Sequence, residues 1–433
     1  MATRSFELLQ NDLHPPLRRH EASVEADRCY FCYDAPCVTS CPTGIDIPLF
    51  IRQIKTDNLS GSARTIFNEN ILGGMCARVC PTEDLCEQAC VRNTAEDNPV
   101  RIGELQRYAT DYLMETGSQP YTRAADTGRR IAVVGAGPAG LACAHRLALH
   151  GHTVNIFDAK PKSGGLNEYG IAAYKTVDDF AQAEVNYILS VGGIEVMHDK
   201  TLGKDITLDG LKSEYDAVFL GVGLGAVNAL GTEGSELSGV MDAVGFIEEL
   251  RQTDDLANVS IEPRTVVIGG GMTAIDAAVQ SKMLGSDEVT LAYRRGVEDM
   301  NASQFEQDLA KVNGVMVRTE LQPLRMVGEA GQVVGVEFSR MSDEYGVYAA
   351  TGEQVLIPCD RVLVAIGQRF GNPDGVQVIE FDEGRIKVDS QQRTSDTHVW
   401  AGGDCVAGGE DLTVAAVQDG KVAAESIHSM FQG

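Results

Sequence analysis

Two glycine-rich loops, each entered from a short apolar strand, constrain the fold of this chain more than any other feature. Residues Ile131 to Val134 run into Gly135-Ala-Gly-Pro-Ala-Gly140, and residues Thr265 to Ile268 run into Gly269-Gly-Gly-Met-Thr-Ala274. A strand, a tight glycine turn and a helix whose N-terminal N–H groups receive a pyrophosphate begin a dinucleotide-binding unit. The sequence therefore predicts two Rossmann-like units.

Later strands repeat in the same order, which makes a chance match less plausible. Strand-like runs ending in Gly223 and Gly367 close the two units, and the strand Val154 to Phe157 of the first unit ends at Asp158. A carboxylate about twenty residues after the loop accepts the ribose hydroxyls of an adenosine. The first unit is therefore expected to bind an adenosine-containing dinucleotide.

The second unit has basic residues where the first has Asp158. Its strand Val289 to Ala292 ends in Tyr293, Arg294 and Arg295. A guanidinium binds a 2′-phosphate bidentately, whereas a carboxylate repels it, so the pair favours NADPH over NADH. The alternative is that both arginines are ordinary solvated surface residues.

Two further turns, Gly164-Gly165-Leu166 and Gly402-Gly403-Asp404, are expected near the first nucleotide, and the helix-like stretch Val414 to Phe431 is expected to complete the first unit. The second unit is then inserted in the first. The predicted fold is α/β: a helical domain over residues 1–125, a first nucleotide domain over 126–245 and 373–433, and a second over 246–372.

Eight of the eleven cysteines lie between Cys29 and Cys90. Their spacing is Cys29-x2-Cys32-x4-Cys37-x3-Cys41-Pro, then Cys76-x3-Cys80-x5-Cys86-x3-Cys90. The first group follows the bacterial ferredoxin pattern, in which the cysteine before proline ligates the other cluster. We expect two 4Fe-4S clusters here, with structural zinc as the alternative. The remaining thiols, Cys143, Cys359 and Cys405, show no CxxC spacing and are expected to be buried.

Charge and hydropathy exclude several classes of partner. Lys plus Arg number 36 against 62 Asp plus Glu, a formal net charge of −26 that repels nucleic acid and anionic membranes. The sequence has no run of 18 apolar residues and no signal-like N-terminus, so a cytoplasmic protein is expected. No hydrolytic triad or HExxH helix is recognisable.

The segments "RCYFCYDAPCVTSCPTGIDIPLFI" (28–51) and "CARVCPTEDLCEQAC" (76–90) resemble those of a known family. This family comprises flavin- and iron–sulfur-containing NAD(P)H oxidoreductases, among them the glutamate synthase small subunit and dihydropyrimidine dehydrogenase. The resemblance covers essentially the whole chain and is strongest to the separate small subunit of bacterial dihydropyrimidine dehydrogenases.

The resemblance implies specific cofactor residues. One cluster takes Cys29, Cys32, Cys37 and Cys90, and the other takes Cys41, Cys80, Cys86 and, within Ile102-Gly-Glu-Leu-Gln106, the amide of Gln106; spacing alone favours Cys76 as that last ligand. FAD is expected at Gly135, Gly137, Pro138, Ala139, Gly140, Asp158, Gly165, Leu166, Lys175, Gly223, Gly403, Asp404 and Thr413, with Lys175 also the expected catalytic residue. NAD(P)H is expected at Gly269, Gly270, Gly271, Thr273, Ala274, Arg294, Arg295 and Gly367. The family's usual acidic residue is Glu, where this chain has the shorter Asp158.

The function implied is that of an electron-input subunit. Hydride passes from NAD(P)H to FAD, and electrons then pass through two clusters to a partner FMN subunit that reduces uracil or thymine. The alternatives are a glutamate synthase small subunit or a related electron-bifurcating or ferredoxin-type NADPH oxidoreductase. A stand-alone thiol reductase and a zinc scaffold are further alternatives. A hetero-oligomer is expected.

Overall fold

The computed structural model describes residues 11–344 and 346–432, which form two compact units. The larger unit contains residues 14–168, 178–225 and 370–432. The smaller unit contains residues 11–13, 169–177 and 226–369. The chain therefore leaves the larger unit and returns to it more than once. Among the described residues, no helix has the length and apolar character that crossing a membrane requires.

The cysteine-rich part of the larger unit is entirely helical in its regular structure. Helix α3 shows why: Ile47, Phe50, Ile51 and Ile54 recur at helical spacing and are all buried, while the N-cap Asp46 accepts the Leu49 N–H. The helices are α1 (Arg19–Asp27), α2 (Pro36–Thr39), α3 (Ile47–Lys55), α4 (Leu59–Glu69), α5 (Gly73–Val79), α6 (Val91–Glu96) and α7 (Ile102–Glu115). Helices α1, α3, α4 and α7 contribute buried residues to one core, and five partly buried cysteines pack against it: Cys29, Cys37, Cys41, Cys86 and Cys90.

The rest of the larger unit is built on a five-stranded parallel sheet with the order β17-β4-β1-β2-β3. The strands are β1 (Arg130–Val134), β2 (Thr153–Phe157), β3 (Ile194–Met197), β4 (Ala217–Leu220) and β17 (Val399–Ala401), with the short pair β15 (Phe381–Asp382) and β16 (Arg385–Ile386). The helices are α8 (Pro138–Leu149), α9 (Leu166–Tyr169, ending at the unit boundary), α10 (Phe180–Leu189), α11 (Leu208–Glu214) and α15 (Thr413–Met430). Strand β1 is apolar and buried after its first residue, as a central parallel strand must be.

The smaller unit repeats this design with the sheet order β6-β13-β7-β8-β9, again parallel. Its strands are β6 (Val240–Asp242), β7 (Arg264–Ile268), β8 (Glu288–Ala292), β9 (Met316–Arg318) and β13 (Arg361–Val364). Its helices are α12 (Ala243–Gln252), α13 (Met272–Leu284) and α14 (Gln304–Val312). An antiparallel sheet of β10 (Leu321–Glu329), β11 (Gln332–Glu344) and β12 (Val347–Pro358) lies before β13 in the chain.

The two chain segments that link 226–369 to the larger unit pair with each other as β5 (Gly225–Val227) and β14 (Gln368–Phe370). Strand β17 comes after this segment and completes the sheet of the larger unit, and α15 follows it in the same unit. The second Rossmann-like domain is therefore inserted in the first. The predicted fold class, a helical domain followed by two Rossmann-like domains with the second inserted in the first, is confirmed.

Candidate cofactor sites

One cavity in the helical domain is lined together by Cys29, Cys32, Cys37 and Cys90. Burial raises the pKa of Cys37 to about 12, and the neighbouring Cys29 and Cys90 contribute to the rise. The pKa of Cys29 is raised by burial as well, with contributions from Cys32 and Cys90. Thiols from two distant sequence segments are therefore neighbours, as a four-thiolate iron–sulfur ligand set requires.

A second group of thiols surrounds Cys80. A hydrogen bond with Cys76 and burial raise the pKa of Cys80, and Cys86 and Cys41 are close enough to add to the effect. Burial also raises the pKa of Cys86, with contributions from Glu87, Cys41 and Cys37. Cys41 thus lies near the thiols of the second motif despite its place in the first, and Cys37 lies near Cys86 as well. The ferredoxin spacing predicts an exchange of this cysteine between the clusters, and the ligand sets stay a prediction.

Gln106 is a buried residue of α7, and its amide nitrogen donates to the carbonyl oxygen of Gly73 at 2.7 Å. This bond uses the nitrogen, so the amide oxygen is the atom that remains suited to ligating iron. Cys76 is also buried, and its thiol forms a hydrogen bond with that of Cys80. In residues 11–344 and 346–432, no three His, Cys, Asp or Glu side chains converge as single-ion ligands.

Glu184 of α10 joins the helical domain to the parallel sheet of the larger unit. Its carboxylate accepts the N–H groups of Gly74 and Met75 at 2.8 and 3.0 Å, at the start of the helix that carries Cys76. Burial raises the pKa of Glu184 to about 8. The nearby Arg78 stacks on Phe180 of the same helix α10, so the contact combines polar and aromatic components. Sequence motifs gave no indication of this attachment.

The first glycine loop has the tight geometry that a dinucleotide requires. Gly135 has φ +100°, and a Cβ there would lie 2.2 Å from the Gly221 carbonyl oxygen. A Cβ at Gly140 would lie 1.9 Å from the Gly135 carbonyl oxygen. Pro138 and Ala139 follow in the first turn of α8, whose N–H groups face the loop. The backbone cradle would be filled by any side chain, so the loop fits a pyrophosphate.

The other residues expected at FAD lie along the same sheet edge. Asp158 accepts the Ala136 N–H at 2.5 Å, so its carboxylate lies against the first loop. A Cβ at Gly165 would lie 2.8 Å from the Cα of Gly137, which makes the two loops adjacent. Leu166 follows at the start of α9.

The carboxyl ends of β4 and β17 contribute to that edge. A Cβ at Gly223 would lie 3.8 Å from Oδ1 of Asp404, and one at Gly403 would lie 3.3 Å from Cβ of Ala139. Burial raises the pKa of Asp404 to about 6, and Asp411 adds to the rise. Thr413, at the start of α15, donates to Asn167 Oδ1 at 2.7 Å. Every residue expected at FAD except Lys175 therefore lies in the larger unit.

The second loop, in the smaller unit, repeats the turn and adds an aromatic ring. Gly269 has φ +152°, and a Cβ there would lie 2.2 Å from the Ala365 carbonyl oxygen. The ring of Tyr293 lies against Gly270, 2.5 Å from where a Cβ would be, and its hydroxyl donates to the Asp299 carbonyl. Around Gly271, in contrast, the described residues leave the Cβ position open to 4 Å. The motif had identified these glycines but not the role of Tyr293.

The other residues expected at NAD(P)H surround this loop. Thr273 and Ala274 are in the first turn of α13, and Gly367 follows β13 with φ +90°. Arg294 is exposed, and Arg295 is half-buried with its guanidinium 6.0 Å from the Tyr293 ring centre. Both arginines come after Tyr293, just past the carboxyl end of β8, where the adenosine end of a nucleotide lies in such sheets.

Lys175 lies in the smaller unit, among carboxylates. Its ammonium is 2.7 Å from Asp276 Oδ1 and 2.8 Å from Glu306 Oε1, and Asp276 also accepts the Tyr174 hydroxyl at 2.8 Å. Burial opposes the charge on Lys175, but the two carboxylates outweigh it, and the pKa of Lys175 is raised. Lys175 is therefore an ammonium at physiological pH, held by two side chains that the motifs did not single out.

Comparison with known proteins places these sites in a family. Residues 7–118 match the model of dihydropyrimidine dehydrogenase domain II, 4Fe-4S cluster. Residues 129–420, more than half of the chain, match the pyridine nucleotide-disulphide oxidoreductase model. The chain belongs to the pyridine nucleotide-disulphide oxidoreductase family. This oxidoreductase uses NAD(P)H, FAD and 4Fe-4S chemistry, and the predictions of those cofactors are confirmed.

Two relatives of this oxidoreductase match nearly the whole chain. The NAD-dependent dihydropyrimidine dehydrogenase subunit PreT of Escherichia coli is 35% identical over 98% of this chain and 97% of the relative. The glutamate synthase [NADPH] small chain of Escherichia coli is 36% identical over 97% and 94%. The predicted resemblance to this group is confirmed.

Solved structures agree on the fold. The oxidoreductase is similar to Mycobacterium tuberculosis FprA in complex with NADPH, with a TM-score of 0.59 and 20% identity over 70% of this chain and 85% of the other. Thioredoxin reductase of T. acidophilum gives a TM-score of 0.56 and 23% identity over 70% of this chain and all of the other.

Proposed function

We propose that this oxidoreductase is the electron-input subunit of a dihydropyrimidine dehydrogenase. In this proposal, electrons from NAD(P)H reach a partner FMN subunit, which reduces uracil or thymine, by way of FAD and two 4Fe-4S clusters. The observation that carries the proposal is the cavity lined by Cys29, Cys32, Cys37 and Cys90, with Cys41, Cys76 and Cys86 close to Cys80, in the same compact unit as the first glycine loop. FAD supplies the conversion between hydride transfer and single-electron transfer.

The residues of the larger unit would bind and orient this cofactor. The loop Gly135 to Gly140 would hold the pyrophosphate through backbone N–H groups, and Asp158 would accept the ribose hydroxyls. Asp404, beside Gly223, would accept a hydrogen bond from the ribityl chain of the flavin. In this proposal the residues position the cofactors, and the rate gain comes from orientation.

Lys175 keeps a proposed place in the hydride step, with a direct test. Lys175→Met should lower the rate of flavin reduction by NAD(P)H at unchanged FAD content. The contrary result is a loss of stability in the variant while its rate of flavin reduction is unchanged at every nucleotide concentration. That result would limit the role of Lys175 to its ion pairs with Asp276 and Glu306.

For the clusters, we expect about eight irons and one FAD in protein purified without oxygen. Gln106→Ala should disturb the visible and EPR spectra of one cluster, whereas Cys76→Ala should leave the iron content intact. The opposite pair of results would make Cys76 the ligand. Zinc in place of iron would contradict the cluster proposal altogether.

The partner is supported by the name of PreT, which describes a subunit of an NAD-dependent dihydropyrimidine dehydrogenase. The chain alone should oxidise NAD(P)H with artificial acceptors and should not reduce uracil or thymine. Adding the FMN subunit of a dihydropyrimidine dehydrogenase should restore pyrimidine reduction. Cys86→Ala should abolish this coupled activity while leaving flavin reduction by the nucleotide unchanged.

A second candidate is the small subunit of glutamate synthase, because the small chain of that enzyme matches this chain as closely over nearly the same length. The same assay separates the two. The second candidate would be favoured if the chain supports glutamate formation with a glutamate synthase large subunit but does not support pyrimidine reduction with the FMN subunit.

A further inference from the structure

We propose that Lys421, together with Thr43, is a positioning residue that raises the reduction potential of the cluster bound through Cys41. Lys421 donates to the Thr43 carbonyl oxygen at 3.1 Å and pairs with Glu69 at 2.7 Å. The Thr43 hydroxyl lies 3.3 Å from the Cys41 sulfur. The inference rests on the proposed function, which gives Cys41 to the second cluster.

Lys421 is held in place by the helix that carries it. Helix α15 starts at Thr413, which is bonded to Asn167 beside the first nucleotide loop. At Gly420, next to Lys421, a Cβ would lie 2.2 Å from the Ala139 carbonyl oxygen in α8. This close backbone approach fixes α15 along α8, whose first turn belongs to the same loop. One helix therefore reaches from the first nucleotide loop to the cysteine loop.

The charge of Lys421 acts at a site with little solvent. Its side chain is 16% exposed, and Thr43 is 3% exposed. Adding one electron to an iron–sulfur cluster adds one negative charge, and no bond forms or breaks in the protein. A nearby ammonium and a hydroxyl that donates to the ligating sulfur both favour the reduced form.

Glu69 opposes this effect. Its carboxylate faces the same ammonium but is 44% exposed, so solvent screens it more than it screens Lys421. Removing the ammonium and removing the carboxylate should therefore move the potential in opposite directions. A purely structural role for the contact would not produce this difference in sign.

The test is an anaerobic redox titration of the whole protein followed by EPR, read at the cluster signal that Gln106→Ala alters. Lys421→Met should make reduction about tenfold less favourable, a shift of about 59 mV to more negative potential for one electron. Lys421→Arg should restore most of the shift because it keeps the charge. Thr43→Val should shift the potential in the same direction as Lys421→Met, and Glu69→Gln should shift it to more positive values.

The matched control is Lys387→Met, which removes an exposed lysine paired with Glu380 in the same unit and should leave the potential unchanged. Lys421→Met with full iron content and an unshifted potential would overturn the inference. If that variant loses iron, unshifted potentials in Thr43→Val and Glu69→Gln would overturn it equally. An unaltered protein without any cluster signal would instead contradict the proposed function.

Discussion

The two Rossmann-like domains share one framework. In the larger unit Val134 pairs with Phe157 and Leu220 across the sheet, and in the smaller unit Ile268 pairs with Ala292 and Val364. In both, the first glycine of the loop has positive φ and would bring a Cβ within 2.2 Å of a carbonyl oxygen at the end of a neighbouring strand. This much is required by any turn from strand to helix that receives a pyrophosphate.

The differences lie in how closely each loop is enclosed. In the larger unit, Gly140 packs on Gly135, Gly165 packs on Gly137, and Asp158 lies against the loop. In the smaller unit the third glycine is replaced by Ala274, the position beside Gly271 is open, and an exposed arginine follows β8. The same framework thus suits a resident cofactor when its loops interlock and an exchanging nucleotide when its loop is open.

The largest expected effect is at the third glycine. Gly140→Ala should abolish FAD binding, because its Cβ would meet the Gly135 carbonyl oxygen at 1.9 Å and backbone atoms cannot move aside cheaply. Flavin absorbance per chain measures this directly. The matched change in the other loop, Ala274→Gly, should leave FAD content unchanged. Equal flavin content in both variants would contradict the comparison.

A second difference concerns acid stability, since all eight histidines lie in segments of the larger unit. Burial lowers the pKa of His145 from 6.5 to about 3, and among the described residues its Nε2 has no hydrogen-bond partner. The unfolded chain therefore binds this proton first, and stability is lost as the pH falls from about 6.5 towards 3.

Replacing His145 by Phe should remove this loss. Between pH 8 and pH 5, the free energy of unfolding of His145→Phe relative to the unmodified protein should rise by about 2 kcal/mol. Urea unfolding followed by flavin fluorescence at both pH values measures it. His398→Phe, at an exposed position, is the control. A relative stability independent of pH would show that His145 titrates normally.

The positive charge that follows β8 in the smaller unit should decide whether the protein prefers NADPH or NADH. Replacing Arg294 and Arg295 together by Ala should raise the KM for NADPH by about tenfold or more, through loss of charge-assisted hydrogen bonds to the 2′-phosphate. The KM for NADH should stay nearly unchanged. A steady-state preference of the unmodified protein for NADH would show that both arginines are surface residues.

The smallest effect is expected at the open position of the second loop. Gly271→Ala adds a methyl group that meets no described atom within 4 Å at ordinary φ, so folding should be unaffected. Thermal unfolding should therefore match that of the unmodified protein. Any rise in the KM for the nucleotide would then report how closely the bound pyrophosphate approaches the loop.

The sequence predicts those features that depend on residues close to one another in the chain. Strand β1, the loop to Gly140 and helix α3 follow from apolar runs, glycine spacing and helical periodicity. Features that depend on distant partners were not predicted. Examples are the antiparallel sheet β10–β12 and the attachment of α5 through Glu184. The attachment depends on one polar residue and the antiparallel sheet on β-branched runs. The partners of both are distant in the sequence and become apparent only in the folded chain.

The ion pairs of Lys175 have a consequence for how this architecture arose. Residues 169–177 precede the inserted segment by almost fifty positions, yet Tyr174 and Lys175 supply the smaller unit with the partners of Asp276. A gene fragment encoding only 226–369 would leave that carboxylate without its cation in the interior, a strongly unfavourable state. A recombination event that transfers only residues 226–369 would therefore not transfer the complete nicotinamide domain. An exchange of this domain between proteins also has to include residues 169–177.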